Sequence, residues 1–264
     1  MISDIKLDNE YCSKKPFPHY FQDDILEQNF AKKIQEEILI LDNKEWDRYE
    51  NPFEQKYTLR DKYNFPENLK KLFEILSSSE FIDTLSKKLN VKLFEDKTRN
   101  FWGVHKYKNG DKLDIHVDAG YHPSINLKKE VTLGIYLSSD WKEEYGCHLE
   151  IWKGDNCTDV KPVLHEKIAS IAPMFNRLVL FTNDDYSWHG NPDPVSFDNI
   201  NSKRIFITLS YLSEEFHRKN KRVKAFFIKT PDEEENEEKD RLRELRADAE
   251  KYKEVYRYNS NSMM

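Results

Sequence analysis

The stretch that decides the fold opens with Tyr107-Lys-Asn-Gly110-Asp111-Lys-Leu113-Asp-Ile-His116-Val-Asp118. It closes with Trp188-His189-Gly190 and then Arg204-Ile-Phe-Ile-Thr208-Leu-Ser-Tyr211. On a strand, residues i and i+2 point to the same face, so one strand end can offer both His116 and Asp118 to a single ion. His189 follows the apolar run Leu178-Val-Leu-Phe181 and supplies a second imidazole. Two imidazoles and one carboxylate on one face of a divalent metal leave three positions open for ligands. Arg204 opens an apolar strand, and a buried guanidinium there is suited to gripping a carboxylate with two parallel hydrogen bonds. Alternation sets Arg204, Phe206, Thr208 and Ser210 on one face, and Ile205, Ile207, Leu209 and Tyr211 on the other. The second set is the more apolar, so it is expected to pack against other elements and to turn Arg204 inward.

Outward from this stretch, strand-like alternation recurs over residues 91–94, 101–107, 112–117, 130–138, 147–152, 167–171, 177–182, 187–189 and 223–228. Many short strands at even spacing predict a β-sandwich or barrel. Upstream, residues 16–21 read as an extended entry strand. Asp23-Asp24 is placed to cap a helix carrying Ile25, Leu26, Phe30, Ile34, Ile38 and Leu39. Residues 40–62 read as a loop. Pro66 opens a second helix with Leu69, Leu72, Phe73 and Leu76, and Ser77-Ser78-Ser79-Glu80 a third with Phe81, Ile82, Leu85 and Leu89. These helices are expected to form a packed buttress. Downstream, an acidic run over 232–238 precedes helical spacing from Leu242 through Leu245, Ala249, Tyr252 and Val255 to Tyr256, with a fraying tail. The expected class is therefore α+β, divided as 1–90, 91–228 and 229–264 within one structural domain.

Composition narrows the function classes. Aromatics make up 13% of the 264 residues, enough large side chains for a sizeable core despite a mean hydropathy of −0.86. Only 7 glycines argue against a glycine-rich nucleotide-binding fold, and a net charge of −6 against a general phosphate-backbone binder. Cys12, Cys147 and Cys157 are too scattered for a disulfide framework or a paired-cysteine metal site. Free thiols and the absence of a long apolar run predict a cytoplasmic protein with no membrane partner. His19, His122, His165 and His217 read as surface or packing residues. Trp102, His105, Tyr121, His148, Trp152 and Trp188 flank the motif positions and are expected at the mouth of a pocket.

In their order, these pieces resemble the Fe(II)/2-oxoglutarate-dependent dioxygenases of the prolyl 4-hydroxylase type. The resemblance covers residues 102–212 and the helical lead-in. Tyr107-x-x-Gly-Asp-x-Leu-x-x-His-x-Asp resembles the family's first metal strand. Leu133-Gly-Ile-Tyr136-Leu-Ser-Ser-Asp-Trp141 is similar to its Tyr-Leu-Asn-x-x-Trp strand. Tyr145-Gly146-Cys-His-Leu149-Glu-Ile-Trp152 is similar to its Gly-Gly-x-Leu strand. Ile171-Ala-Pro173-Met-Phe-Asn176-Arg177-Leu-Val-Leu-Phe181 is similar to its Pro-x-x-x-Arg-Leu-x-x-Phe strand. The chain departs from the pattern at Gly146-Cys147, where the family has paired glycines. It departs again in a longer loop between His189 and Arg204.

The resemblance implies a double-stranded β-helix (jelly roll) over 91–228, with the helices on the outer face of the major sheet. It implies Fe(II) held by His116, Asp118 and His189. It also implies 2-oxoglutarate as co-substrate, its far carboxylate paired with Arg204, with Tyr136 and Tyr107 in the cofactor pocket and Thr208 as a further candidate. The implied reaction uses O2 to hydroxylate an unactivated C–H bond, with succinate and CO2 as co-products and ascorbate as an accessory reductant. The substrate is left open between a prolyl residue of a protein and a small molecule or sugar. Two other classes fit less well. Oxidative nucleic-acid demethylases carry a second Arg where this chain has Ser210. Non-redox cupin-like modules use a His-x-His set, where this chain has His116-Val-Asp118.

Overall fold

In the computed structural model the last core strand keeps that parity. Ile205, Ile207, Leu209 and Tyr211 are buried in the main apolar cluster, while Arg204, Phe206, Thr208 and Ser210 line a cavity on the opposite side. The structure describes residues 1–7, 10–138, 140–198, 203–214, 222–248 and 250–255. In chain order its elements are β1 (His19–Gln22), α1 (Gln28–Leu39), β2 (Trp46–Asn51), β3 (Glu54–Leu59), α2 (Glu67–Leu76), α3 (Ser79–Leu89), β4 (Gly103–Tyr107) and β5 (Leu113–Val117). There follow β6 (Lys128–Tyr136), β7 (Leu149–Gly154), β8 (Leu164–Ile171), β9 (Arg177–Thr182), β10 (Trp188–Asn191), β11 (Arg204–Ser213), β12 (Phe226–Phe227) and α4 (Glu237–Ala247).

The sheet path runs β1-β9-β6-β11-β4-β3-β5-β10-β7-β8, with β12 added on β5 and β2 on β3. The antiparallel ladders curl into a nearly closed barrel, the jelly roll of a double-stranded β-helix. Closure pairs most strand edges, leaving little unpaired backbone at the rim. The helices present apolar stripes at the 3.6-residue period to one face of the major sheet. Ile34, Ile38, Leu72, Leu76 and Leu85 meet Leu133, Leu180, Ile207 and Leu209 in one buried cluster. Ser78 caps α3, its Oγ accepting the Phe81 N–H at 3.3 Å, and Asn90 ends it in the left-handed conformation at φ 53°.

The N-terminus of α1 differs from the expectation. Asp24 does not cap it; the helix starts at Gln28, and Asp24 instead accepts a hydrogen bond from the Gln28 amide at 2.7 Å. Asn176 is the cause. Its carbonyl accepts the Ile25 N–H, its Oδ1 accepts the Leu26 N–H at 2.8 Å, and its Nδ2 donates to the Leu26 carbonyl at 2.7 Å. These bonds hold residues 25–26 against the core before the helix can begin. Asn176 is fully buried at φ 64°, a backbone region that asparagine tolerates better than most residues. Asn176→Ala is therefore expected to leave two buried backbone groups unpaired and to strain the turn, lowering unfolding free energy by roughly 2–5 kcal/mol. Urea denaturation of the two proteins measures it; a loss under about 1 kcal/mol means the side chain is not the clamp.

Three further segments depart from the sequence expectation. Residues 46–59 form a hairpin, β2–β3, rather than a loop; Asn51 Oδ1 accepts the Phe53 and Glu54 N–H groups and turns the chain. β3 then pairs with both β4 and β5 and bridges the two halves of the barrel. Residues 91–94 form no strand, only a single bridge from Phe94 to Leu212. The C-terminal helix begins earlier than expected and is shorter. With Val255, its Leu242 is buried against Phe53 and Phe227, so this charged segment packs on the core. Residues from Tyr256 onward, and His217, lie outside the described residues. Among the described residues, no helix is long and apolar enough to cross a membrane.

Candidate metal centre and cofactor cavity

Two adjacent strands bring the chemistry together. On β5, Ile115 and Val117 are buried in an apolar cluster with Trp152 and Trp188, which turns His116 and then Asp118 to the other face. On β10, Trp188 enters that same cluster and His189 faces His116 across the ladder. Gly190 makes this approach possible. A Cβ there would lie 2.7 Å from the Asp114 carbonyl oxygen and 2.9 Å from that of Leu113, so any side chain would push the strands apart.

The ligating atoms of His116, Asp118 and His189 all lie within 4.8 Å of one another, a cluster that could hold one metal ion. His116 Nε2 is 3.4 Å from Asp118 Oδ1, and His189 Nε2 is 3.9 Å from Asp118 Oδ2. Each imidazole is oriented through its far nitrogen. His116 Nδ1 is 2.9 Å from the Asp114 carbonyl and His189 Nδ1 is 2.8 Å from the Ser187 carbonyl. A carbonyl only accepts, so each Nδ1 carries the hydrogen and each Nε2 keeps its lone pair for the centre. Burial, reinforced by the neighbouring His116, lowers the His189 pKa to about 3, so its ring is neutral and able to ligate. Burial alone would raise the Asp118 pKa, but the Lys129 ammonium holds it well below the usual carboxylate range. Lys129 Nζ donates to Asp118 Oδ2 at 2.5 Å.

The other end of the site is built around Arg204. It is 1% exposed, and it pairs with Tyr107 across the β11–β4 ladder. Its guanidinium carbon sits 4.6 Å from the Tyr107 ring centre and 4.9 Å from that of Tyr136. One weak hydrogen bond runs from Nη2 to the Tyr136 hydroxyl at 3.5 Å. Nε and Nη1 have no hydrogen-bond partner among the described residues. A buried guanidinium left this way is costly, and an anion in the cavity would satisfy it. Burial pushes both phenols upward in pKa, so each is a neutral donor at physiological pH. Thr208 shares this face of β11 and lines the cavity, but its hydroxyl donates to the Leu133 carbonyl at 3.1 Å.

One cavity of about 970 Å³ joins the two ends and is lined by His116, Asp118, His189, Arg204, Tyr107 and Tyr136. Of the residues expected at its mouth, Trp102 and His105 line it. Tyr121, His148, Trp152 and Trp188 do not. Trp152 and Trp188 lie on the outward faces of β7 and β10, where the Trp152 indole donates to Glu150 and the Trp188 indole to the Asp155 carbonyl. His148 instead pairs with the Ser170 hydroxyl at 3.1 Å. Cys147 occupies the position of the second family glycine at φ 52°, a conformation a non-glycine residue adopts at a cost. Its buried thiol accepts the Asn191 amide at 3.0 Å, which offsets part of that cost.

Several contributors were missed at the level of sequence. Lys129 is one; alternation places it with Val131 on the helix-facing side. A register shift between Tyr211 and Leu212 breaks the ladder opposite residues 129–131 and turns Lys129 inward. Phe227 is another. Its ring lies 5.0 Å from His116 and 5.3 Å from Phe53, so β12 walls the metal end. Lys239 of α4 reaches Asp114 at 2.8 Å and pins that wall to β5.

Comparison with known proteins places this architecture. Residues 102–212 match the model of the 2OG-Fe(II) oxygenase superfamily. No curated protein matches the chain. Among solved structures, a prolyl 4-hydroxylase from Pseudomonas putida aligns over 76% of this chain and 95% of its own, with TM-score 0.54 and 14% identity. A prolyl hydroxylase from Trichoplax adhaerens, in complex with a hypoxia inducible factor peptide fragment, aligns over 74% and 83%, with TM-score 0.53 and 19% identity. HygX from Streptomyces hygroscopicus, with nickel and 2-oxoglutarate bound, aligns over 80% and 89%, with TM-score 0.50 and 12% identity. At these identities the likeness concerns the fold, while the matched segment contains every residue of the His-Asp-His cluster and Arg204. Residues 102–212 thus match the 2OG-Fe(II) oxygenase superfamily, and the chain around them has a prolyl 4-hydroxylase-like fold, which together support a 2-oxoglutarate-dependent dioxygenase.

Proposed function

We propose that the protein hydroxylates an unactivated C–H bond, as a prolyl hydroxylase does, with His116, Asp118 and His189 holding Fe(II) and Arg204 anchoring 2-oxoglutarate. The observation that carries this reading is a buried guanidinium, two of whose nitrogens find no partner among the described residues, sharing one cavity with a neutral-imidazole and carboxylate cluster. The donor set fits a 2-oxo diacid: Arg204 and the Tyr136 hydroxyl suit its far carboxylate, and Tyr107 walls the same pocket. When bound, Fe(II) and the 2-oxo acid supply O2 activation, with succinate and CO2 released. The protein's own residues bind and orient. Asp114 and Ser187 fix the imidazole tautomers, Lys129 fixes the carboxylate, and the Phe53–Phe227 pair screens the metal end from water. A peptide substrate is favoured because the Trichoplax relative in fold binds one. Nucleic acid is disfavoured, because Ser210 spends its hydroxyl on Thr132 at 3.1 Å and offers no cation. The buried free thiols of Cys147 and Cys157 suit a reducing, cytoplasmic compartment.

Fe(II)-dependent release of succinate from 2-oxoglutarate tests the reading directly, with mass spectrometry of proline-containing peptides for one added oxygen atom. Succinate release that survives removal of Fe(II) by chelation would sink it. Lys129 offers a finer test. Lys129→Met keeps the stem but removes the ammonium, freeing Asp118 to turn away. The variant is expected to bind Fe(II) roughly 10- to 100-fold more weakly, the usual loss for a partner behind a metal ligand. Equal Fe(II) affinity in the two proteins would mean that Lys129 does not position Asp118.

A further inference from the structure

The cavity carries a charge opposite to that of the protein around it. The chain has a net charge of −6. Yet among the described residues the cavity lining holds nine lysines and arginines against three aspartates and glutamates. Two of these cations, Arg204 and Lys129, serve the centre. The other seven lie outside residues 102–212, on the 46–62 segment and on the 224–253 segment. The catalytic core therefore does not explain them.

Some of the seven are already neutralised. Arg48 makes a paired contact with Asp111, Lys56 is 3.2 Å from Glu54, Arg246 is 4.0 Å from the same Glu54, and Arg60 is 2.8 Å from Asp47. Lys62, Lys224 and Lys253 are not. Lys62 Nζ rests on the Arg99 and Asn100 carbonyls at 3.1 Å each, and burial pushes its pKa down. Lys224 stands 3.6 Å over the Tyr252 ring, and Lys253 is 6.0 Å from the same ring. None of the three makes a direct ion pair with a carboxylate among the described residues, although Asp96 attracts Lys62 through the intervening space. Ammonium groups gathered at the wall of a concave, low-dielectric cavity repel one another and focus a positive potential into it. Such an arrangement is favourable only toward a negative ligand.

We propose that the substrate is an acidic peptide, its Asp and Glu side chains held by Lys62 on the 46–62 wall and by Lys224 and Lys253 on the 224–253 wall. This rests on the reading of the centre as a C–H hydroxylase. An extended chain fits better than a single phosphate or carboxylate, because the lysines sit on two separate walls, Lys62 supported by the Arg99 and Asn100 carbonyls and Lys224 and Lys253 gathered around the Tyr252 ring. The cavity also exceeds what a five-carbon diacid fills, so space remains for chain beside it. Substrate choice then lies in the two segments that flank the core, and the core keeps its chemistry.

The test uses the full chain with Fe(II) and 2-oxoglutarate under anaerobic conditions. Fluorescence anisotropy measures the binding of labelled peptides of equal length with a central proline flanked by Glu, Gln or Lys. An oligothymidylate of the same charge as the Glu peptide serves as the fourth probe. The Glu peptide is expected to bind at least about tenfold more tightly than the Gln peptide at low salt, and the advantage should shrink as salt rises through about 0.15 M. Lys253 is exposed, so its replacement leaves the packing intact. Lys253→Glu should weaken the Glu peptide and strengthen the Lys peptide, each by roughly three- to tenfold; a misfolded protein cannot show the gain. Equal binding of the three peptides, or an unchanged preference in Lys253→Glu, overturns the proposal. So does tighter binding of the oligothymidylate than of the Glu peptide, which would point to nucleic acid. Aerobic succinate release is read separately. Peptide preference without succinate would sink the hydroxylase reading alone, and succinate without preference would sink the acidic-peptide inference alone.

Discussion

Asp118→Ala is expected to abolish Fe(II)-dependent turnover of 2-oxoglutarate, to below roughly a hundredth of the unmodified protein's rate. Partners behind a metal ligand already cost about 10- to 100-fold when lost, so a direct ligand should cost more. The geometry adds a second loss. Asp118 is the residue that both imidazoles approach, at 3.4 and 3.9 Å, and it is the acceptor for Lys129. Without it, Lys129 is a buried ammonium beside two imidazoles, and its positive charge opposes the binding of a cation. Asp118→Asn separates the two effects. It keeps a neutral oxygen for the metal and for Lys129 but removes the charge, so Fe(II) affinity should fall between the other two proteins. Succinate formation and bound iron are measured on all three, with thermal melting to confirm folding. Turnover retained in Asp118→Ala would remove this residue from the centre.

The sequence carried the core of the site because strict alternation was enforced by packing. In β11, the apolar set Ile205, Ile207, Leu209 and Tyr211 had one place to go, against the helices, and that alone turned Arg204 into the barrel. The same logic set His116 opposite Ile115 and Val117. Parity misled wherever the ladder was irregular. Lys129 faces the cavity because a bulge shifts the register by the time β6 reaches it, and no local residue announces that shift. The hairpin β2–β3 was hidden by polarity on both faces. Its Arg48, Glu54 and Lys56 point toward a charged cavity instead of an apolar core, so period-2 hydrophobicity is absent. The Asn51-Pro52 pair was the signal that could have marked its turn. The C-terminal wall is hard to recognise in the sequence because charge dominates α4. Its packing rests on few apolar anchors, Leu242 and Val255 among them, with Arg243 and Lys239 tied into local ion pairs.

Arg204→Ala is expected to weaken 2-oxoglutarate binding by roughly ten- to a hundredfold or more and to leave Fe(II) affinity nearly unchanged. A charge-assisted hydrogen bond of this kind contributes about 1.5–3 kcal/mol, which sets that range. Arg204 is buried at 1% exposure between two phenol rings, with Nε and Nη1 unpartnered among the described residues, so the diacid supplies contacts that those residues do not. No ligating atom is removed, so the metal end should not respond. Alanine also opens a void, and Arg204→Met, which fills it with an uncharged side chain, controls for collapse of the pocket. Thermal stability gives an independent reading through linkage. A ligand present at 100 times its dissociation constant stabilises the folded protein by about 2.7 kcal/mol. At the same concentration, a variant bound a hundredfold more weakly gains only about 0.4 kcal/mol. The unmodified protein should therefore melt higher when 2-oxoglutarate is added, and both variants should respond little. Without ligand, Arg204→Met need not be less stable, because it removes a buried guanidinium two of whose nitrogens lack partners among the described residues. Unchanged 2-oxoglutarate affinity, or an equal loss for 2-oxoglutarate and Fe(II), would mean that Arg204 is not the anchor and that the cavity holds its diacid by another cation.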